Sequence, residues 1–334
     1  MTNKIYENIK EFIKKNYKII IVYILIVCLF LIHLPYYISY PGGLIDTSKK
    51  IKTNNNFKLK GSLNMAYVSE IHATIPTYLF SLINKDWDSE KEKDIVSGDE
   101  SVEDMEYRNK MLLKESNKIA SLVAYKNSNV KYSIKNNKVY VTYIDPLAKT
   151  NLKVKDQIIK IDGNKVTDKN YLFQYIKSKN INDEVSLTVL KGKKEVNKKA
   201  KLINVDGEAK IGALVTETFD ISSNKDIKYT FDDAESGPSG GLMLSLTIYS
   251  NINQKDITKG KKIAGTGTID INGFIGPISG VKYKLIGAVN NKADVFLVPK
   301  GENYKEAKKL KDERGYNIDI IEVETFEQAL KYLS

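Results

Sequence analysis

From Ile19 to Leu34 the chain reads IIIVYILIVCLFLIHL and continues PYYISYPGG, nearly free of charge over the ~20 residues needed to cross a bilayer. A soluble helix so apolar on every face is rare at this length, so the run predicts a transmembrane helix over residues 19–38. No small-x-small cleavage site follows that would mark a removable signal peptide, which favours an uncleaved anchor. Lys4, Lys10, Lys14, Lys15 and Lys18 precede the run, whereas the first ten residues after Ile38 carry no Lys or Arg. By the positive-inside tendency residues 1–18 stay in the cytosol, and the remainder of a single-pass cell-membrane protein lies outside the cell. Tyr36, Tyr37 and Tyr40 suit the outer interface, where a ring can be half apolar and half wet.

A chain of 334 residues is long enough for about two domains besides such an anchor. Its 52 Lys+Arg outnumber 41 Asp+Glu, but the basic residues are spread along the chain and no aromatic-basic motif accompanies them, so nucleic acid is not an expected partner. Cys28 is the single cysteine, which excludes an intramolecular disulfide and a multi-thiolate metal site. His33 lies in the apolar run, so a Ser-His-Asp mechanism would have to use His72 alone.

Lys58 to Ile71 reads as one or two strands, and the acidic stretch Asp86 to Asp104 as a solvated connection. From Tyr107 to Tyr125, Met111, Leu112, Ile119, Leu122 and Val123 recur on one helical face, which predicts an amphipathic helix whose simplest role is core packing. Between about Val130 and Val205 short strands alternate with turns: VYVTYI, then LKVKDQIIKIDGNKV, a helix near Tyr171 to Lys179, and EVSLTVLKG. Ile158, Ile159 and Ile161 run into an Asp162-Gly163 turn before Val166 resumes the apolar pattern, a hairpin signal. This order resembles a PDZ domain. Lys155 stands where that family usually has glycine, and VYVTYI lacks the glycine-bearing loop that cradles a peptide's terminal carboxylate. The resemblance implies capture of extended peptide by strand addition, or a bracing role for the neighbouring domain.

Two segments carry chemistry. In YTFDDAESGPSGGLMLSLTIY, Gly237-Pro238-Ser239-Gly240-Gly241 makes a tight turn ahead of an apolar helix. Ser239 would stand at the helix entrance, either as an N-cap or as a nucleophile beside unsatisfied backbone N–H groups that can hold an oxyanion. In IAGTGTIDINGFIGPISGVKYKLIGA, a strand and a Gly-rich turn lead to a helix carrying Lys282 and Lys284. A serine hydroxyl needs a base, and a neutral amine can serve once burial disfavours its charge. Working near neutrality, a lysine must be brought from ~10.4 to ~7–8, about 4 kcal/mol of differential stabilisation. Ile278, Val281, Leu285 and Ile286 are apolar neighbours suited to that.

Together these segments resemble the proteolytic domain of the Lon peptidase family, and in particular its membrane-anchored, PDZ-containing Lon-like members. The resemblance places the family's nucleophile on Ser239, its lysine on Lys284 rather than Lys282, its supporting threonine on Thr266, and the oxyanion turn on Gly237, Pro238 and Gly240. Ser236 stands where Lon has an acidic residue, with Asp232, Asp233 and Glu235 nearby; Gly240 replaces alanine and Ser279 replaces a glycine of the lysine turn. No G-x-x-x-x-G-K-[ST] loop occurs, so ATP independence is expected, and no zinc motif or other cofactor site is read.

The expected fold class is α+β: a transmembrane helix, residues 39–128 of strands and helix, a PDZ-like β domain over 129–206 and a Lon-type domain over 207–334. The expected function is an ATP-independent serine endopeptidase acting on exported or surface polypeptide, with a homo-oligomer as a further possibility from the family. The competing reading is a membrane-tethered peptide-binding scaffold with a catalytically silent Lon-like domain. A Ser-Lys signal peptidase would want its serine close to the membrane, some 200 residues nearer than this one lies.

Overall fold

The apolar run is divided between two elements in the computed structural model, which describes residues 2–53 and 57–333; residues 1 and 334, at the ends of the first and last expected segments, lie outside it. Helix α1 spans Thr2–Leu31, and strand β1 runs from His33 to Asp46. The uncharged part of α1 is only Ile19–Leu31, about 20 Å at ~1.5 Å per residue against the ~30 Å of a hydrocarbon core, and any longer window takes in Lys18, Lys15 and Lys14. Among the described residues no helix is long and apolar enough to cross a membrane. The transmembrane helix expected over 19–38 is therefore corrected, because its last third is strand. The tyrosines assigned to a lipid interface are engaged in ring contacts instead: Tyr36 with Tyr78 at 4.8 Å, Tyr37 with His72 at 5.0 Å, and Tyr40 with Trp87 at 4.5 Å.

These contacts belong to the first of two units, formed by the chain up to Pro41 together with Val68–Ile95. Strand β2 (Ser62–Thr74) leads there into helix α2 (Ile75–Ile83), and β3 (Asp88–Lys91) pairs antiparallel with Tyr36–Ser39 of β1. The stretch expected as a solvated connection thus includes a strand.

The second unit comprises Gly42–Tyr67 and the chain from Val96 onward. Its second segment holds helix α3 (Val102–Asn127), longer at both ends than its apolar periodicity predicts. A small β region follows: β4 (Tyr132–Ile144), β5 (Gln157–Ile161), helix α4 (Lys169–Lys177), β6 (Glu184–Lys191), β7 (Lys194–Lys201) and β8 (Ala213–Ser223), in the sheet order β8-β4-β5-β6-β7. Its core is Val139, Val141, Ile158, Leu172, Leu187 and their neighbours. The Asp162-Gly163 turn has φ of 45° and 80°, the left-handed pair that a tight hairpin needs. Lys155 also has a positive φ, 76°, so the backbone keeps the conformation that glycine favours although the side chain has changed.

The remaining elements are α5 (Gly241–Asn253), β9 (Lys262–Gly265), α6 (Val281–Asn290), β10 (Val295–Pro299), α7 (Glu302–Arg314), β11 (Asp319–Val323) and α8 (Phe326–Leu333). Strands β11-β10-β9-β2 run parallel in that order, β9 lying between Ser62–Met65 and Val295–Leu297. Successive strand residues serve opposite faces. Leu63, Met65, Ile263, Val295 and Leu297 pack with α5, whereas Ala66, Ala264, Phe296 and Val298 pack with α6 and α7. Parallel strands covered on both faces make this a mixed α/β architecture, which corrects the expected α+β class. Residues 62–66 complete the sheet ahead of the β region and 262–265 behind it, so the β region lies in sequence between strands of one sheet.

Candidate active site

The turn around Ser239 is fixed on every side by groups outside it. Lys50 Nζ donates to Asp232 Oδ2 at 3.0 Å and Glu235 Oε2 at 2.8 Å, and the Asp232 N–H also donates to Glu235. Burial alone would pull the Lys50 ammonium down, but the hydrogen bonds to Glu235 and Asp232 outweigh it and hold its pKa above the ordinary lysine value. Asp232 and Glu235 thereby anchor the approach to the turn, although Ser236 itself is exposed and carries no acid. Gly237, at φ 85°, donates its N–H to Asn109 O of α3 at 3.0 Å, a conformation that favours glycine. Ser116 Oγ, also on α3, donates to Pro238 O at 3.1 Å.

Ser239 is itself held through its carbonyl, which accepts the Gly267 N–H at 2.8 Å and the Thr266 hydroxyl at 3.2 Å. The Leu242 N–H returns to Gly267 O at 3.1 Å, so the first turn of α5 is stitched to the end of β9. The N-cap of α5 is Gly240, with no side-chain cap bond, so Ser239 does not have the capping role open to it in the sequence. Among the described residues the Ser239 hydroxyl is not engaged as a helix cap. The N–H groups of Ser239 and Gly240 are without an acceptor among them, at the positive end of a helix buried over most of its length. Of the expected turn residues, Gly240 can therefore offer an N–H, whereas that of Gly237 is engaged by Asn109 and Pro238 has none.

The lysine segment enters the sheet from the other face. Ile278 is clamped by Asn303, its N–H donating to Oδ1 at 2.8 Å and its carbonyl accepting Nδ2 at 2.9 Å. Gly280, at φ 72°, caps α6, and the Lys284 N–H donates to its carbonyl at 3.2 Å. Lys284 is 4% exposed, between the fully buried Val281 and Leu285, while Lys282 is only half-buried with its Nζ over the Tyr283 ring. The two lysines of the motif thus differ in the property that the chemistry requires. Thr266, 0% exposed, continues the β9 ladder by donating its N–H to Leu297 O at 3.0 Å. Strand alternation puts it on the face of Ala264, which packs against α6, while its hydroxyl reaches the serine turn.

Serine helix and lysine helix therefore pack on opposite faces of the sheet, and Thr266, just past the end of β9, bonds to the serine turn. The sequence motifs singled out Ser239, Thr266 and Lys284. They gave no sign of Asn109, Ser116, Lys50 or Asn303, which hold the turns, because each acts through one polar contact distant in sequence. The α3 periodicity was the nearest signal, and it reported only an apolar face.

Residues 218–333 match the family described as the Lon protease (S16) C-terminal proteolytic domain, and residues 120–202 match the PDZ domain family. Lon protease 2 of Borreliella burgdorferi is 30% identical over 119 residues, 35% of this chain and 15% of that protein. The Lon protease of Campylobacter jejuni is 35% identical over 96 residues, 29% of this chain and 12% of that protein. The chain therefore spans only 12–15% of the length of these curated relatives. Among solved structures, the PDZ domain of the SdrC-like protein from Listeria monocytogenes is 27% identical, covers 25% of this chain and 92% of its own, and has a TM-score of 0.23.

Proposed function

We propose that this chain, whose C-terminal part is similar to Lon proteolytic domains, is an ATP-independent serine endopeptidase working through Ser239 and Lys284. The observation that carries the reading is the setting of Ser239: its carbonyl is pinned by Thr266 and Gly267, and its side chain is not spent on capping α5. A serine so held is positioned yet available to attack.

In this reading Ser239 Oγ adds to the scissile carbonyl carbon as its proton passes to the neutral Lys284 amine. The N–H groups of Ser239 and Gly240 receive the oxyanion. Collapse expels the amine half of the substrate, which takes the proton from Lys284, and water then cleaves the acyl-serine ester with the same lysine as base. Thr266 donates its single hydroxyl proton to Ser239 O, which leaves its lone pairs to accept from Lys284 Nζ and orient it. The substrate class is polypeptide, with the PDZ-like region adding an extended segment to its sheet.

The test is cleavage of an unstructured protein by the full chain without nucleotide. Ser239→Ala and Lys284→Ala should each remove activity, by 10³-fold or more, as loss of a nucleophile or its base does. Lys282→Ala should leave it nearly intact. Equal cleavage by wild type and both dyad variants rules the mechanism out.

A further inference from the structure

Glu115 and Ser116 are consecutive on α3, and they bond to different parts of the second unit. Glu115, 8% exposed, accepts from Lys169 Nζ at the start of α4 at 2.6 Å and from the Glu217 N–H of β8 at 3.1 Å. Ser116, 5% exposed, donates to Pro238 O in the serine turn, and Asn109, two helical turns earlier and so on the same face, accepts from Gly237. Glu217 is opposite Val139 in the β8-β4 ladder, so the N–H that meets Glu115 comes from a strand already paired on its other side. One helix thus fastens the PDZ-like region to the two residues immediately before Ser239.

We infer that Glu115 is a latch: gripped by Lys169 and by the Glu217 N–H, it sets the position of α3, and through Ser116 and Asn109 the position of the Ser239 turn. Glu115, Ser116 and Asn109 are positioning residues, none of them touching the reacting atoms. A buried carboxylate bonded to an ammonium and a main-chain N–H is a strong, directional hold, and losing one partner leaves the other uncompensated. Releasing it slackens two hydrogen bonds at the serine turn although both lie on another face of the helix. The effect on rate rests on the peptidase reading, whereas the effect on the turn does not.

Amide hydrogen exchange at Gly237 in the full chain reads the turn directly, since that N–H is held by Asn109 O. Lys169→Met removes the ammonium and touches nothing in the serine turn. Lys160→Met removes an exposed pair with Glu195 elsewhere on the β region and serves as control for the loss of a lysine there. Gly237 should exchange about fivefold faster in Lys169→Met and in Glu115→Ala than in the control. Glu115→Gln, which keeps an acceptor for the Glu217 N–H, should fall between. Hydrolysis should show kcat several-fold lower in Lys169→Met with KM unchanged. Gly237 exchange in Lys169→Met equal to that of Lys160→Met overturns the latch, and so does faster exchange with kcat untouched. If wild type hydrolyses nothing, the peptidase reading fails and exchange alone decides the latch.

Discussion

At the scale of single residues, the two glycines after Ser239 differ in what surrounds them. A Cβ on Gly240 would meet only Met65 Sδ, at 2.8 Å, the flexible end of a side chain that can swing away. The backbone there, φ −90° and ψ −3°, suits any residue. Gly240→Ala should therefore keep stability within about 1 kcal/mol of wild type. A Cβ on Gly241 would lie 2.8 Å from both Ile269 Cγ2 and Ser116 Oγ, and 3.3 Å from the Ile269 backbone nitrogen. Gly241→Ala should cost about 1–3 kcal/mol in chemical denaturation and disturb the Ser116 contact to Pro238. Similar stabilities for the two variants would contradict this. Sequence reading could single out Ser239 because a Gly-rich turn leaves a local pattern, and Thr266 and Lys284 only through the resemblance to the Lon family. It could not find Ser116, since a serine on a helix gives no sign of which carbonyl it will meet.

At the scale of elements, hydropathy alone misjudged the N-terminal run. A window sum does not register where a helix stops, and here Leu34, Pro35 and the following aromatics belong to β1, whose rings contact other rings within the first unit. Turn chemistry served better, as the Asp162-Gly163 hairpin formed where its residues predicted. The least legible feature of the β region is the acidic group where β8 meets α4. Burial above all raises the Glu217 pKa; Lys169 partly offsets it by a backbone hydrogen bond and by its charge, while Asp168 and Glu115 raise it further. Its Oε1 is buried without a hydrogen-bond partner among the described residues. A raised native pKa means the folded chain binds more protons than the unfolded one. This group's contribution is therefore harmless at low pH and turns unfavourable as pH climbs from the unfolded carboxyl value, ~4.3, through the raised native one. Glu217→Gln removes that loss, so its stability relative to wild type should grow with pH across this window in denaturant titrations. A difference independent of pH would show that Glu217 ionises in the fold as it does in water.

At the scale of the whole molecule, the segment that carries both proposed catalytic residues, 218–333, is not a complete folding unit in this chain. Strand β9 has Ser62–Met65 along one edge, and the core beneath α5 includes Leu63, Met65 and Val123 from well before that segment. No local pattern could announce this, because the pairing spans about 200 residues and crosses the whole β region. Burying three such side chains stabilises by ~1.5–3 kcal/mol each, together of the order of the ~5–15 kcal/mol by which a domain is stable at all. Without them β9 would also present an unpaired, apolar edge of the kind that templates aggregation. Residues 218–333 produced alone should show no cooperative thermal transition by circular dichroism and should associate, whereas the full chain should melt cooperatively. Adding a separate peptide covering 57–127 should restore the transition, since it supplies β2 and α3 together. Cooperative melting of 218–333 unaided would mean that the sheet closes without its partner strand, and that the order of elements along this chain is not what holds the serine helix and the lysine helix on opposite faces of one sheet.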